Sequence, residues 1–282
     1  MTVNILKKSN TCGKYQEING TTVYYEFYPN PSAKTTIICL HGFLASCFCF
    51  RHLIRDLQTN FQIVAIDIPP FGKSGKSSSF EYSYRNIART LLQLLDTLKI
   101  DKGTIIGHSM GGQIALYMVH EQSHRFDKAI LLASSGYLQR ARRFAIFLSY
   151  LPFAHKLVKR HLIRTGGIQG NLEQVVHDKS FISEEMKAGY LEPFLKDEAI
   201  FRALAKMLRD REGDLSAEIL RTISIPCYLI WGEEDRIVPL SVGRRLANDL
   251  PDARLYILQK TGHLLPEEKP EEVCALIKKI VR

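Results

Sequence analysis

The chain has 282 residues, 45% hydrophobic and 24% charged, the proportions of a soluble globular protein with room for one large α/β domain carrying an insertion, or for two small domains. No stretch approaches the roughly 18 to 20 apolar residues of a membrane span, and residues 1–15 are polar with no segment of signal-peptide type, so the expected location is cytoplasmic. Thirty-eight Lys and Arg against 29 Asp and Glu give a net charge of +9, which favours anionic partners in general but reads as solvated surface, so no nucleic-acid partner is expected. Cys12, Cys39, Cys47, Cys49, Cys227 and Cys274 show neither metal nor disulfide spacing, which predicts reduced, mostly buried thiols.

Residues 15–18 and 21–27 flank Asn19-Gly20, a strong hairpin signal, so the sheet opens with an antiparallel pair. Residues 35–40 are continuously apolar, as in a strand buried on both faces of a parallel sheet. They run into His41-Gly42-Phe43-Leu44 and then a helix through 50–57. Residues 61–67 read as another buried strand, and the following Ile68-Pro69-Pro70 bars both helix and central strand. Gly72-Lys73-Ser74, echoed at 75–77, invites a phosphate-loop reading, but the required upstream glycine falls on Asp67 or Pro70. Ile87, Leu91, Leu94, Leu95 and Leu98 recur at helical spacing over 83–98. Next come a strand ending near 108, a helix from 111 to about 122, and a strand over 128–133.

Beyond Ser134 this rhythm stops. From 136 to about 212 there is no strand pattern, only helical segments punctuated by Pro152, Gly166-Gly167 and Pro193. Strand and helix alternate again over 226–231, 241–250, 253–258 and 270–281. The economical architecture is a doubly wound, mostly parallel eight-stranded sheet built from 1–135 and 213–282, with a helical insertion at 136–212.

Within that pattern, Gly107-His108-Ser109-Met110-Gly111 spells strand, sharp turn, helix around a serine. Lifting a hydroxyl clear of a strand end cramps the backbone, so the positions two before and two after must lack clashing side chains, and both are glycine. A serine needs a base to take its proton and an acid to orient the base. Two later loops offer them: Gly232-Glu233-Glu234-Asp235 after the 226–231 strand, and Thr261-Gly262-His263 after the 253–258 strand. Asp235 competes with its acidic neighbours as simple surface charge. The strand over 128–133 is followed by Ser134-Ser135-Gly136, with no carboxylate.

Taken together, His41-Gly42, Asp67 with Gly72 and Ser74, residues 107–112, 232–239, and Gly262-His263 followed by Pro266, Glu268 and Pro270 resemble the α/β-hydrolase fold, in its carboxylesterase-like serine hydrolases with a helical lid. The resemblance covers essentially the whole chain, and the order Ser, Asp, His is the family's. It implies Ser109 as nucleophile, His263 as general base and acid, Asp235 as its orienting carboxylate, and an oxyanion hole of the Phe43 and Met110 backbone amides. It implies no cofactor and no metal. His41 and His108 are read as shaping or simply packing the site.

His120-Glu121-Gln122-Ser123-His124 fits the H-E-x-x-H zinc pattern, which needs both histidines on one helix. Here the helix must end near Gln122, so His124 falls beyond it, and His120 lies about 17 Å along the helix axis from Ser109 at 1.5 Å per residue. It reads as a chance match at a solvated helix end. In the insertion, residues 144–154 are strongly apolar and are flanked by Arg140, Arg142, Arg143, Lys156, Lys159, Arg160 and Arg164, with no acidic residue between 137 and 172. The simpler expectation is a lid whose apolar face covers the pocket and whose basic face is wet. The sharper one is an acyl-chain or headgroup site, or peripheral contact with an anionic membrane surface.

Serine at 109 disfavours the dehalogenases and epoxide hydrolases of similar fold, which carry aspartate there. His108 and Leu264 depart from the asparagine and tryptophan common in carbon–carbon bond hydrolases of similar layout. The expected function is therefore hydrolysis of a small ester, thioester or lactone with an apolar acyl part, through an acyl-enzyme. An acyltransferase or a slow-turnover ligand receptor on the same fold are the alternatives, and the oligomeric state is left open.

Overall fold

The computed structural model describes residues 12–164, 167–195 and 197–282. The polar stretch 1–11, Gly166 and the Cys12 side chain lie outside what is described. In chain order the structure runs β1 (Cys12–Ile18), β2 (Thr21–Tyr28), β3 (Thr36–Leu40), α1 (Arg51–Leu57), β4 (Gln62–Ile66), α2 (Tyr84–Thr97), β5 (Gly103–His108), α3 (Met110–Glu121) and β6 (Phe126–Leu132). The insertion follows with α4 (Arg143–Ser149), α5 (Ala154–Arg164), α6 (Gly167–Val175), α7 (Glu184–Leu195) and α8 (Ala199–Asp210). The chain closes with α9 (Ala217–Leu220), β7 (Cys227–Gly232), α10 (Leu240–Asp249), β8 (Ala253–Leu258), α11 (Leu265–Glu268) and α12 (Pro270–Val281).

One eight-stranded sheet has the order β1-β2-β4-β3-β5-β6-β7-β8. Asn19 and Gly20, with φ of 52° and 76°, turn the β1–β2 hairpin, as the positive φ of a two-residue hairpin requires. That hairpin joins the sheet antiparallel through β4, and every later pairing is parallel. Ile37, Ile38, Ile63, Val64, Ile105, Ile106, Ile130 and Leu131 are all fully buried, because helices cover the parallel strands on both faces. Helix α1 packs on α12, and α2 on α3.

The strand order reverses between β3 and β5. From β3 the chain winds outward to β4, then returns to lay β5 on the other side and continues through β6 to β8. Open α/β sheets form their binding crevice at such a reversal, beyond the carboxyl ends of the strands. Leu40 ends β3 and His108 ends β5 there, and the residues that follow them are Gly42-Phe43 and Ser109-Met110.

Between β6 and β7 the insertion is helical throughout its described elements. Its two ends meet: the Asp214 amide donates to the Leu138 carbonyl at 2.8 Å, and the Leu138 amide to Asp214 Oδ2 at 3.0 Å. Glu212 caps α2, accepting from the Tyr84 and Arg85 amides at 2.8 and 2.9 Å, which satisfies donors that an α-helix leaves unpaired at its start. Pro152 separates α4 from α5 as expected. Pro193 instead lies inside the last turn of α7, where a missing N–H removes only one ladder bond.

The apolar stretch of the insertion is divided. Ala145, Leu148 and Ala154 face a cavity, but Phe144, Phe147, Tyr150 and Phe153 are exposed. The expectation of one apolar face closed over the pocket therefore holds for only part of it.

Candidate active site

Ser109 sits between β5 and α3 with φ 53° and ψ −120°, a conformation that costs an L residue energy and persists only where neighbours fix it. Three backbone bonds do so: the Ser109 amide donates to the Leu132 carbonyl at 2.9 Å, and its carbonyl accepts from Gly112 and Ser135 at 2.9 and 3.0 Å. The flanking glycines are required by space. A Cβ on Gly107 would lie 2.5 Å from the Gly111 carbonyl oxygen, and one on Gly111 would lie 2.2 Å from that of Leu40. Met110 opens α3, so its amide is among those with no partner inside the helix, at the positive end of the helix dipole.

The loop after β3 approaches from the other side of the reversal. A Cβ on Gly42 would stand 3.0 Å from that of Ser109. His41 holds this loop with both ring nitrogens: Nδ1 donates to the Gly42 carbonyl at 2.7 Å, and Nε2 accepts from the Ile68 amide at 2.9 Å. That pattern fits only the neutral ring, and burial lowers its pKa in the same sense. Asp67 ties down the next turn, accepting from the Cys47 amide at 2.7 Å and the Lys73 amide at 2.8 Å. The Gly-Lys-Ser repeat is thus committed to loop bonds, with Lys76 donating to the Gly72 and Ser74 carbonyls.

Asp235 and His263 come together from the ends of β7 and β8. The His263 Nδ1 to Asp235 Oδ2 distance is 2.7 Å, and both side chains are buried. The other Asp235 oxygen accepts from the Ile237 and Val238 amides at 2.8 and 2.9 Å. Neighbouring Glu234 is occupied elsewhere, accepting from the Thr261 amide at 2.8 Å. Gly232 lets the two loops touch, since a Cβ there would fall 2.2 Å from the Gly262 carbonyl oxygen.

His108 links this pair to the Ser109 turn. Its Nε2 donates to the His263 carbonyl at 2.9 Å, and the two rings lie 4.9 Å apart. Its Nδ1 is buried without a hydrogen-bond partner. Burial, and then the nearby His263, push its pKa down to about 3, so the ring is neutral.

Glu268 is the residue whose part sequence reasoning did not foresee. Its carboxylate accepts from the Gly262 and Leu264 amides on either side of His263, and from the His177 amide of the insertion at 2.7 Å. The His263 amide in turn donates to the Val175 carbonyl at 2.7 Å. Burial raises the Glu268 pKa above its ordinary value, against these bonds. Its position five after His263 was the available signal.

Phe43, Ser109 and Met110 line a cavity of about 940 Å³ between the strand-end loops and helices α4, α5 and α8 of the insertion. The insertion contributes mainly Leu148, Leu157, Leu162, Leu204 and Met207, with Ser149, His161 and Arg211 as polar exceptions. Helix α8 presents Leu204, Met207 and Leu208 at helical spacing, a pattern readable in the sequence but not assignable to a pocket from it.

The H-E-x-x-H residues lie elsewhere. His120 is exposed in the last turn of α3, His124 falls beyond the helix, and Glu121 pairs with Arg85 and Arg89. Among the described residues no cluster of His, Cys, Asp and Glu is arranged to hold a metal ion. The five described cysteines are free and buried.

Residues 35–270 match the sequence profile of the alpha/beta hydrolase fold. The chain belongs to that family. It is 47% identical over 265 residues to an uncharacterized hydrolase of Bacillus subtilis, YugF, covering 94% of this chain and 96% of that one. It is 25% identical to a 2-hydroxy-6-oxononadienedioate/2-hydroxy-6-oxononatrienedioate hydrolase of Paraburkholderia phymatum, over 96% of each chain. Among solved structures, an esterase from Exiguobacterium antarcticum superposes with a TM-score of 0.79 at 19% identity, covering 96% of this chain and 99% of that one. The protein is thus an α/β-fold hydrolase.

Proposed function

We propose that this hydrolase cleaves carboxylic esters with an apolar acyl part through an acyl-enzyme on Ser109, and that residues 136–212 act as its cap. The observation that carries this reading is the 2.7 Å contact of His263 Nδ1 with Asp235, whose second oxygen is held by two amides. A histidine fixed in that way keeps Nε2 for exchanging a proton with a hydroxyl.

In the first step His263 takes the Ser109 proton as Oγ attacks the acyl carbonyl, and the imidazolium is stabilised by Asp235. Negative charge develops on the carbonyl oxygen, which the Phe43 and Met110 amides receive. Collapse breaks the carbon–oxygen bond, with His263 returning the proton to the leaving alcohol. Water, activated by His263, then attacks the acyl-Ser109 ester, and the acid leaves. The acyl part lies against the leucines and methionine of the cavity, whose lining is suited to a hydrocarbon chain.

The test is hydrolysis of a chain-length series of p-nitrophenyl esters by wild type and Ser109→Ala, with fluorophosphonate labelling alongside. A chain-length optimum, and loss of both turnover and labelling in the variant by about 10⁴-fold or more, is the expected result. Activity surviving in Ser109→Ala overturns the assignment, and labelling without turnover points to an acyltransferase or a receptor.

A further inference from the structure

The insertion carries a surface that the ester chemistry does not use. Phe144 is 70% exposed, Phe147 65%, Tyr150 69% and Phe153 59%, and Leu151 and Leu157 extend the same segment. Six large apolar side chains stand exposed within fourteen residues, more than one stretch of a monomer in water ordinarily presents. The segment 137–172 also holds seven Lys and Arg and no Asp or Glu. Lys159 pairs with Glu198; the other six have no carboxylate partner among the described residues. Arg140, Arg142 and Arg143 stand before the apolar residues in sequence, and Lys156, Arg160 and Arg164 lie at and beyond their end, all exposed.

We propose that α4, α5 and the turn between them form a peripheral docking face for a lipid bilayer containing anionic lipids. The charge argues for that occupant over a second copy of the chain. An isologous contact would set each unpaired basic cluster against its own symmetry mate. A bilayer surface supplies what the face lacks: phosphates for the basic residues, and an apolar layer just beneath them for the aromatic rings. Docking of this kind needs no spanning segment, and among the described residues no helix is long and apolar enough to cross a membrane.

The face is continuous with the cavity. Leu157 is 52% exposed and also lines the cavity, and on α4 Phe144 and Phe147 alternate with the cavity-lining Ala145 and Leu148. Resting on the ester-hydrolase reading, the docked orientation presents the cavity to apolar esters held in the bilayer. The docking itself is independent of that chemistry.

Flotation with vesicles of phosphatidylcholine alone, and of an equimolar mixture with phosphatidylglycerol, tests it at low and high salt. Wild type and Ser109→Ala are both expected to bind the anionic vesicles about tenfold or more tightly than the neutral ones, and high salt weakens that binding. Equal binding by Ser109→Ala separates docking from turnover. The double variant Phe144→Asp/Phe147→Asp is expected to lose about tenfold or more of its partitioning, with an unchanged thermal midpoint. Arg142→Gln/Arg143→Gln is expected to lose about tenfold of the preference for anionic lipid. Wild type that stays off anionic vesicles, or variants that bind as it does, overturn the proposal. So does a wild-type dimer that the Phe144→Asp/Phe147→Asp variant splits into monomers, which would make the face an interface between copies. Binding of an acidic amphipathic peptide to this face, with no binding of the wild type to anionic vesicles, also overturns it.

Discussion

At the carboxyl ends of β7 and β8, Asp235 commits both carboxylate oxygens to hydrogen bonds and Glu268 accepts from three backbone amides. In α4 and the turn after it, Phe144, Phe147 and Tyr150 stand mostly in solvent. The two regions border one cavity but are built differently. In the loops, backbone approaches so close that only glycine fits at Gly107, Gly111 and Gly232 fix a few polar atoms in place. The insertion offers apolar surface with few directional constraints. Chemistry demands placed atoms, because a small misalignment of a proton donor or acceptor costs rate steeply. Holding a hydrocarbon chain or meeting a bilayer demands only area and charge sign.

The strongest way to break this contrast is Asp235→Asn. The side chain keeps its size and its bonds to Ile237 and Val238, but no longer fixes the His263 tautomer. Turnover is expected to fall by about 10³ to 10⁴-fold with an unchanged thermal midpoint, measured on the optimal p-nitrophenyl ester. A loss of tenfold or less would show that the loops place His263 without its carboxylate.

Glu268→Gln sharpens the contrast, because Glu268 is where the two regions are tied. An amide cannot accept from all three backbone donors, and it turns a donor of its own toward them. A loss of about 2 kcal/mol is expected, seen as a thermal midpoint lowered by about 5 °C. Turnover is expected to fall about tenfold as the His263 loop and the 175–177 segment loosen together. Unchanged turnover with lowered stability would confine Glu268 to docking the insertion.

The effect that is smallest per pH unit is one of protonation. His108 has its pKa depressed from the ordinary 6.5 to about 3, so the folded chain keeps it neutral while the unfolded chain protonates it below 6.5. Acidification through that window favours unfolding by up to about 1.4 kcal/mol per pH unit for such a group. Buried His41 acts in the same direction. Glu267 and Glu268, raised by burial above their ordinary 4.5, act in the opposite direction just above that value. The difference between wild type and His108→Gln isolates the histidine. Denaturant unfolding at a series of pH values is expected to show a slope lower by about one proton in the variant below about pH 6. An identical slope would mean that His108 is protonated in the folded chain.

Residues 107–111 pointed in five letters to a strand, a sharp turn and a helix around Ser109 as the candidate nucleophile, and only together with His41-Gly42 and the loops at 232–239 and 261–263 did they make the fold legible. The Asn19-Gly20 hairpin, the apolar β3, β4 and β5 and the helical insertion were legible for a related reason: turn chemistry and burial on both faces are local demands on residue type. The distinction of Asp235 from Glu233 and Glu234 rested on resemblance alone. Three adjacent carboxylates look alike until the fold buries one of them against His263. The role of Glu268 and the outward turn of Phe144 and Phe147 were decided only by tertiary structure. The first depends on amides from the 262–264 loop and from residue 177, which folding alone brings together. The second depends on which face of a seven-residue helix meets the cavity, and hydrophobic spacing cannot specify that when apolar residues occupy both faces.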